Sequence, residues 1–229
     1  MQLEKIGENI WIYNGTTVKF YGFPFTTRMT VIRLANDALW VHSPVKLNPE
    51  LQREIHALGR VAFLISPNKL HHLFLQEWIS AYPDAKTYAA PGLSKKRQDI
   101  RFAGELGLSA EREWANEIGQ TLFQGSPVME EAVFFHIESK TLVLTDLIEN
   151  IRPDSLSDWR SILARIAGVV SPDGKTPLDW RLSFMFGKTR ARRAVNAMMD
   201  WQPENVIVSH GECIFGNGTE FLKKSFSWV

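Results

Sequence analysis

The stretch Val61-Ala62-Phe63-Leu64-Ile65-Ser66-Pro67-Asn68-Lys69-Leu70-His71-His72-Leu73-Phe74-Leu75 sets a buried strand directly against a histidine-bearing turn. Its first five residues are wholly apolar, as in a strand covered on both faces. Gln76-Glu77-Trp78-Ile79 then reads as the body of a helix. Two adjacent histidines therefore stand where a core strand hands over to a helix, at the end of a sheet where α/β folds place ligands. Two readings of the pair are open, a solvated cap or metal ligands. The positive N-terminal end of the following helix disfavours imidazolium, which keeps the rings neutral and competent to bind metal.

Upstream, Asn9–Tyr13 and Arg28–Leu34 are rich in β-branched and aromatic residues and read as strands. Gly15, Gly22 and Pro24 punctuate an aromatic loop between them. Asn36-Asp37 turns the chain into another strand, Ala38–His42. Asn48-Pro49-Glu50 has the N-cap, first-turn proline and early acid of a helix start, and Gly59 ends that helix. Downstream, Lys86–Ala90 is a short strand and the charged residues 94–106 are expected to be helical. Residues 120–123 lean to strand, and Ala132–Ile137 with Thr141–Asp146 forms a hairpin. Residues 157–200 are helical with a break around Ser171-Pro172-Asp173-Gly174, and Asn205–Ser209 is a late buried strand. Strands first, helices later and one more strand at the end indicate one layered α/β or α+β domain spanning 1–229.

Three of these strands end on a side chain able to bind metal. Strand 61–66 leads to His71 and His72, strand 141–145 to Asp146, and strand 205–209 to His210. If the three run the same way in one sheet, all four side chains gather along one edge. Imidazole and carboxylate together suit zinc, iron or manganese. The plainer alternative makes Asp146 a turn residue and His210 a satisfied buried histidine.

Composition sets the bounds. The chain has 229 residues, 45% hydrophobic and 22% charged, which suits an ordinary globular protein. A formal net charge of +1 exerts no overall pull toward nucleic acid or acidic membranes, so such a partner would need a local patch. The single cysteine, Cys213, excludes an internal disulfide and a multi-cysteine zinc site. Without a secretory signal or an apolar run approaching the ~20 residues of a membrane span, a cytoplasmic protein with no membrane partner is expected.

The alternation of strand, histidine-bearing turn, hairpin ending in Thr145-Asp146-Leu147 and late strand ending in Ser209-His210-Gly211 resembles the metallo-β-lactamase fold superfamily. Pro67-Asn68, His71-His72-Leu73-Phe74-Leu75 and the run Phe134-Phe135-His136 through Leu142 are similar to one little-characterised branch, a domain of unknown function. The likeness covers nearly the whole chain and implies an αββα four-layer sandwich. Laid over residues 67–72, the superfamily's His-x-His-x-Asp-His motif puts Pro67 and Lys69 where two histidines belong and His71 where the aspartate belongs. A third first-site histidine falls near Pro127, so one metal site is lost. His72, Asp146 and His210 match the other site, with His71 as a metal-competent replacement. His42 takes the place of an aspartate ending an early strand, as a partner behind the ligands.

The resemblance implies a metal-dependent hydrolase acting on a small-molecule substrate at a reduced, mononuclear site. His71, His72, Asp146 and His210 would hold one divalent ion, zinc or else iron or manganese. Lys69 would stand in for the charge of the lost cation, and Asp146 would serve catalysis as well as binding. Such an ion activates water toward esters, thioesters, amides or phosphoesters. The competing reading is an inactive relative that binds a small molecule or a protein, and a third is an iron protein handling oxygen or sulfur.

Other features are weighed against plainer accounts. Gly187-Lys188-Thr189 lacks the first glycine of a P-loop, where Leu182 stands, and no strand leads into it. Arg181, Lys188, Arg190, Arg192 and Arg193 form a basic cluster, read first as a solvated face and second as a contact for anions, so a nucleic-acid partner is not expected. Cys213 is expected to be a buried inert thiol, His56 to be solvated and His136 to be packed. The amphipathic tail Glu220–Phe226 docks on its own core or, alternatively, forms a homodimer contact.

Overall fold

Runs of residues buried on both faces place the centre of the first sheet. The computed structural model describes residues 2–20, 23–155 and 159–229 and forms two compact units, Met1–Ile118 and Gly119–Val229. The expected punctuation at Gly22 and the first two residues of the helical region, 157 and 158, lie outside the described residues.

In the first unit β1 (Glu4–Gly7), β2 (Ile10–Asn14), β5 (Arg28–Arg33) and β6 (Ala38–His42) pair antiparallel in that order, with the small hairpin β3 (Val18–Phe20) and β4 (Phe23–Phe25) between β2 and β5 in sequence. α1 (Pro49–Leu58) then crosses over to β7 (Arg60–Ser66), which runs parallel to β6. Asn48 caps α1 by accepting from Glu50 and Leu51 N–H, and Leu51 and Ile55 are its buried face. α2 (Leu75–Ala81) returns the chain to β8 (Lys86–Ala89), and α3 (Leu93–Lys96) leads to β9 (Gly104–Glu105), both strands parallel to β7. The core packs Val31, Val41, Leu51, Ile55, Leu64 and Trp78 together. Trp78 is fully buried and donates its indole N–H to Val45 O at 2.7 Å, so its burial leaves no unpaired donor.

The second unit is built on a four-stranded sheet, β10 (Ile118–Phe123), β11 (Glu131–His136), β12 (Thr141–Val143) and β14 (Asn205–Ile207). A separate parallel pair joins β13 (Glu149–Asn150) to β15 (His210–Gly211). α4 (Trp159–Ala167), α5 (Leu178–Ser183) and α6 (Lys188–Asp200) come between β13 and β14, and α7 (Gly218–Ser225) closes the chain. Phe123, Phe135, Leu142, Phe184, Met198 and Val206 belong to its core, and Phe221, Leu222 and Phe226 from the tail pack into the same core. The tail thus docks at home. Among the described residues no helix is long and apolar enough to cross a membrane.

Three expectations need correction. Residues 94–106 are not one helix: α3 stops at Lys96, Ile100 is buried, and residues 104–105 pair with β8. Burial and strand pairing override the helical preference of a charged run. The loop after Gly15 contains a hairpin, and β1 precedes the first strand read from sequence. β7 lies in the seven-stranded sheet while β12 and β14 lie in the four-stranded one, so the strands that lead to His71, Asp146 and His210 do not share a sheet.

Candidate metal centre

In the first unit the histidine pair sits on a turn, residues 71–74, between β7 and α2. Asn68 shapes this turn, since its Oδ1 accepts from the N–H groups of Leu70 (2.8 Å) and His71 (3.0 Å). Ser66 Oγ donates to His71 O at 2.7 Å. A proline and an asparagine after a buried strand thereby become a fixed platform for His71. Ser43, the residue after β6, lies with its Oγ 2.6 Å from His71 Nδ1. Its backbone is left-handed (φ 53°), a conformation that residues other than glycine seldom adopt and that collects at functional sites. When Nδ1–H donates to Ser43, the lone pair of His71 is on Nε2, the arrangement that orients a metal-ligating imidazole.

His72 faces a different partner. Arg97 Nη1 lies 2.9 Å from His72 Nδ1, while Nη2 of the same guanidinium pairs with Asp99 at 2.7 Å. Guanidinium has donors only, so Nδ1 must be the acceptor and the ring proton must be on Nε2. A neutral ring in that state has no second lone pair to offer an ion. Burial, and then the charges of Lys96 and Arg97, hold the His72 imidazolium down to about 4. Neutrality was expected from the helix end; its sources are burial and two cations.

Lys69 turns toward a corner of the same unit, close enough to Gly92 that a Cβ there would meet its Cε at 2.9 Å. Lys96 Nζ donates to Lys69 O at 2.8 Å. Arg97 is the cation hydrogen-bonded to His72, while Lys69, read from sequence as standing in for the charge of a lost cation, is held through its carbonyl by Lys96. His42 is 1% exposed and stacks on Trp40 at 5.5 Å. Burial, with the charge of His71 adding to it, pushes His42 down to about 3.

In the second unit register brings Asp146 and His210 together. Parallel β12 and β14 pair Thr141 with Asn205, Leu142 with Val206 and Val143 with Ile207. The same offset carried past both strand ends sets Asp146 beside His210, and their Oδ1 and Nε2 atoms are 2.9 Å apart. Asp146 is 6% exposed and His210 7%. The fully buried Glu131 holds the turn from behind: one carboxylate oxygen accepts from Thr145 N–H (2.7 Å), the other from Asp146 N–H (2.8 Å). Burial and the neighbouring Asp146 charge push the Glu131 carboxyl above its usual range. His210 pairs with Glu149 across β13 and β15, and Gly211 has no alternative, because a Cβ there would lie 1.9 Å from Asn150 O. Burial pushes the Glu149 carboxyl up to about 7, with Asp146 and Asp179 adding to the shift against His210. One carboxylate and one imidazole side by side are the donor mix that zinc, iron and manganese accept.

Ser43, Arg97, Glu131 and Glu149 were missed from sequence. Glu131 alone carried a signal, a carboxylate heading the apolar run Ala132-Val133-Phe134-Phe135. Cys213 is half-buried, not buried as expected. His136 is packed at 1% exposure with Nδ1 2.7 Å from Ser139 Oγ, and His56 is exposed.

Comparison with known proteins identifies the fold. The family described as "Domain of unknown function (DUF4336)" matches residues 8–159. No curated protein matches the sequence. The DIM-1 metallo-β-lactamase, solved after exposure to ceftazidime, is 15% identical with a TM-score of 0.67, over 99% of this chain and 94% of that chain. A metallo-β-lactamase from Hirschia baltica is 14% identical with a TM-score of 0.65, over 99% and 96%. The rubredoxin oxygen:oxidoreductase of Desulfovibrio gigas is 13% identical with a TM-score of 0.68, over 99% of this chain but 61% of that one. At these identities the likeness is one of fold: the chain has the α/β fold of the metallo-β-lactamases.

Proposed function

The chain belongs to the DUF4336 family, and within it we propose a metal-dependent hydrolase-like protein with one divalent ion, in which residues 1–229 act as a single domain. The ion is assigned to Asp146 and His210 of the second unit, with His71 carried over from the sequence pattern as a further ligand. The observation that carries this is the buried Asp146–His210 pair, a carboxylate and an imidazole held 2.9 Å apart by strand register and by Glu131. His72, the fourth expected ligand, joins only if it gives up its bond to Arg97, so three protein ligands are the working set. Zinc, iron or manganese in such a set supplies a Lewis acid that polarises a carbonyl or phosphoryl oxygen and activates water. The chain's own residues fix the donors: Ser43 orients His71, Glu131 clamps the Asp146 backbone, and β15 pairing fixes His210. The substrate is a small molecule with an ester, thioester, amide or phosphoester bond. A single cysteine fits a cytoplasmic setting.

Metal analysis of protein purified without a histidine tag, after supplementation with zinc, iron and manganese, is expected to return about one equivalent, lost in Asp146→Ala. Less than about a tenth of an equivalent would sink the metal reading. A second reading, a binding module without turnover, draws on the Arg97–His72 contact, which removes a ligand from the set. Chelator-sensitive turnover that disappears in Asp146→Ala separates the two.

A further inference from the structure

The helical segment between β13 and β14 presents apolar side chains to the outside. α4 buries Ala164 but exposes Ile162 (61%), Leu163 and Ile166 (67%). α5 exposes Leu182 (62%), and the turn after it exposes Met185 (57%) and Phe186 (96%). The two helices meet where Arg181 Nη2 donates to Ala167 O at the end of α4 at 2.8 Å. The turn is firmly seated: Phe184 is fully buried beneath it, and Gly187 packs so closely on Gly125 that a Cβ would lie 1.9 Å from Gly125 O. Phe186 is therefore held outward by a fixed backbone. Apolar patches of this kind mark interaction surfaces.

Charge identifies the occupant. Residues 160–193 carry eight Lys or Arg against two Asp, whereas the whole chain has 26 against 25. The exposed Arg165 interrupts the apolar face of α4, and Lys188, Arg190, Arg192 and Arg193 follow Phe186 on the exposed side of α6. A second copy of the chain would set this basic surface against itself. Nucleic acid would meet the cations but has no use for the aliphatic surface. Exposed apolar side chains interleaved in sequence with exposed Lys and Arg match an anionic bilayer, in which the former enter the headgroup boundary and the latter meet phosphate.

We propose that the α4–α5 face, with Phe186 at its tip, docks this protein on the surface of an anionic lipid bilayer. That no helix among the described residues is long and apolar enough to span is no obstacle, since the segment lies on the membrane.

Flotation of the full chain with vesicles of equal parts phosphatidylcholine and phosphatidylglycerol, and with phosphatidylcholine alone, tests this. The chain is expected to float with the anionic vesicles only, and less so as salt is raised. The double variant Leu182→Ser, Phe186→Ser alters exposed positions and should keep its circular dichroism while partitioning falls about tenfold or more. Arg190→Glu with Arg193→Glu should weaken binding by a similar factor. Failure of the parent chain to float, or floating that both variants leave intact, overturns the proposal. Self-association abolished by Phe186→Ser without vesicle binding would overturn it in favour of a second copy, and an acidic protein partner would likewise leave the vesicles unbound.

Discussion

Glu131 is the residue that links folding to the candidate metal centre. Its two oxygens serve two buried backbone N–H groups, those of Thr145 and of the candidate ligand Asp146 itself. In Glu131→Gln the amide nitrogen faces one of those donors, so a bond is lost and two donors oppose each other. The expected cost is about 2–3 kcal/mol in urea unfolding, since an unsatisfied buried donor carries its full desolvation penalty. Metal affinity should fall about 10–100-fold, as it does when the support of a ligand is removed. A stability change below about 0.5 kcal/mol would mean the carboxylate is not the clamp its distances describe. Arg97 invites a matching test. In Arg97→Met, His72 loses the donor on Nδ1 and one of the charges opposing its protonation. Its pKa should rise from about 4 toward its ordinary value without reaching it, because burial is the larger cause. A titration of the ring by NMR reads this directly, and an unchanged midpoint would show that Arg97 contributes nothing to the shift.

The turn from β7 into α2 works as an element because Asn68 satisfies two of its N–H groups. Asn68→Ala should cost about 1–2 kcal/mol, and Asn68→Asp, which keeps the acceptor, should recover most of it. If both variants are equally destabilised, size and not hydrogen bonding shapes the turn. At this scale much of the fold was legible. β7, α1, the β11–β12 hairpin and β14 carry apolar runs, caps or turns whose physics is local. Asp146 and His210 were legible as strand ends, yet their 2.9 Å contact depends on a register between strands 64 residues apart. Nothing local encodes that register. The same limit explains Arg97 and Ser43, which reach the histidines from other elements, and the charged stretch after Lys96, where burial of Ile100 and pairing with β8 decide the path. β1 buries none of its four residues, so it has little hydrophobic periodicity to read.

Across the molecule each unit buries a histidine in its neutral form, and acid should therefore destabilise the fold. His42 in the first unit and His136 in the second are both 1% exposed. Burial lowers His42 to about 3 and lowers His136 as well. In the unfolded chain both rings titrate near ~6.5. Below that pH the unfolded chain binds protons that the native state refuses, so stability is fully present above it and is lost as pH falls. The loss for His42 continues until the native ring itself protonates at about 3. Glu149 has the opposite sign: raised to about 7, it takes up its proton in the native state first, and the stability it adds disappears as pH rises through that value. Each histidine contributes a slope of up to about 1.4 kcal/mol per pH unit, and Glu149 offsets one of them above the ordinary carboxyl range. The clean measurement is thus a difference. Urea unfolding of chelator-treated protein and of His136→Gln between about pH 7 and 5 should show the variant less sensitive to acid, by up to about 1.4 kcal/mol per unit. His136 lies at the end of β11, where it meets Ser139, so the variant leaves the candidate ligands in place. Equal slopes in the two proteins would mean that the native His136 ring accepts a proton as readily as the unfolded one, against its burial.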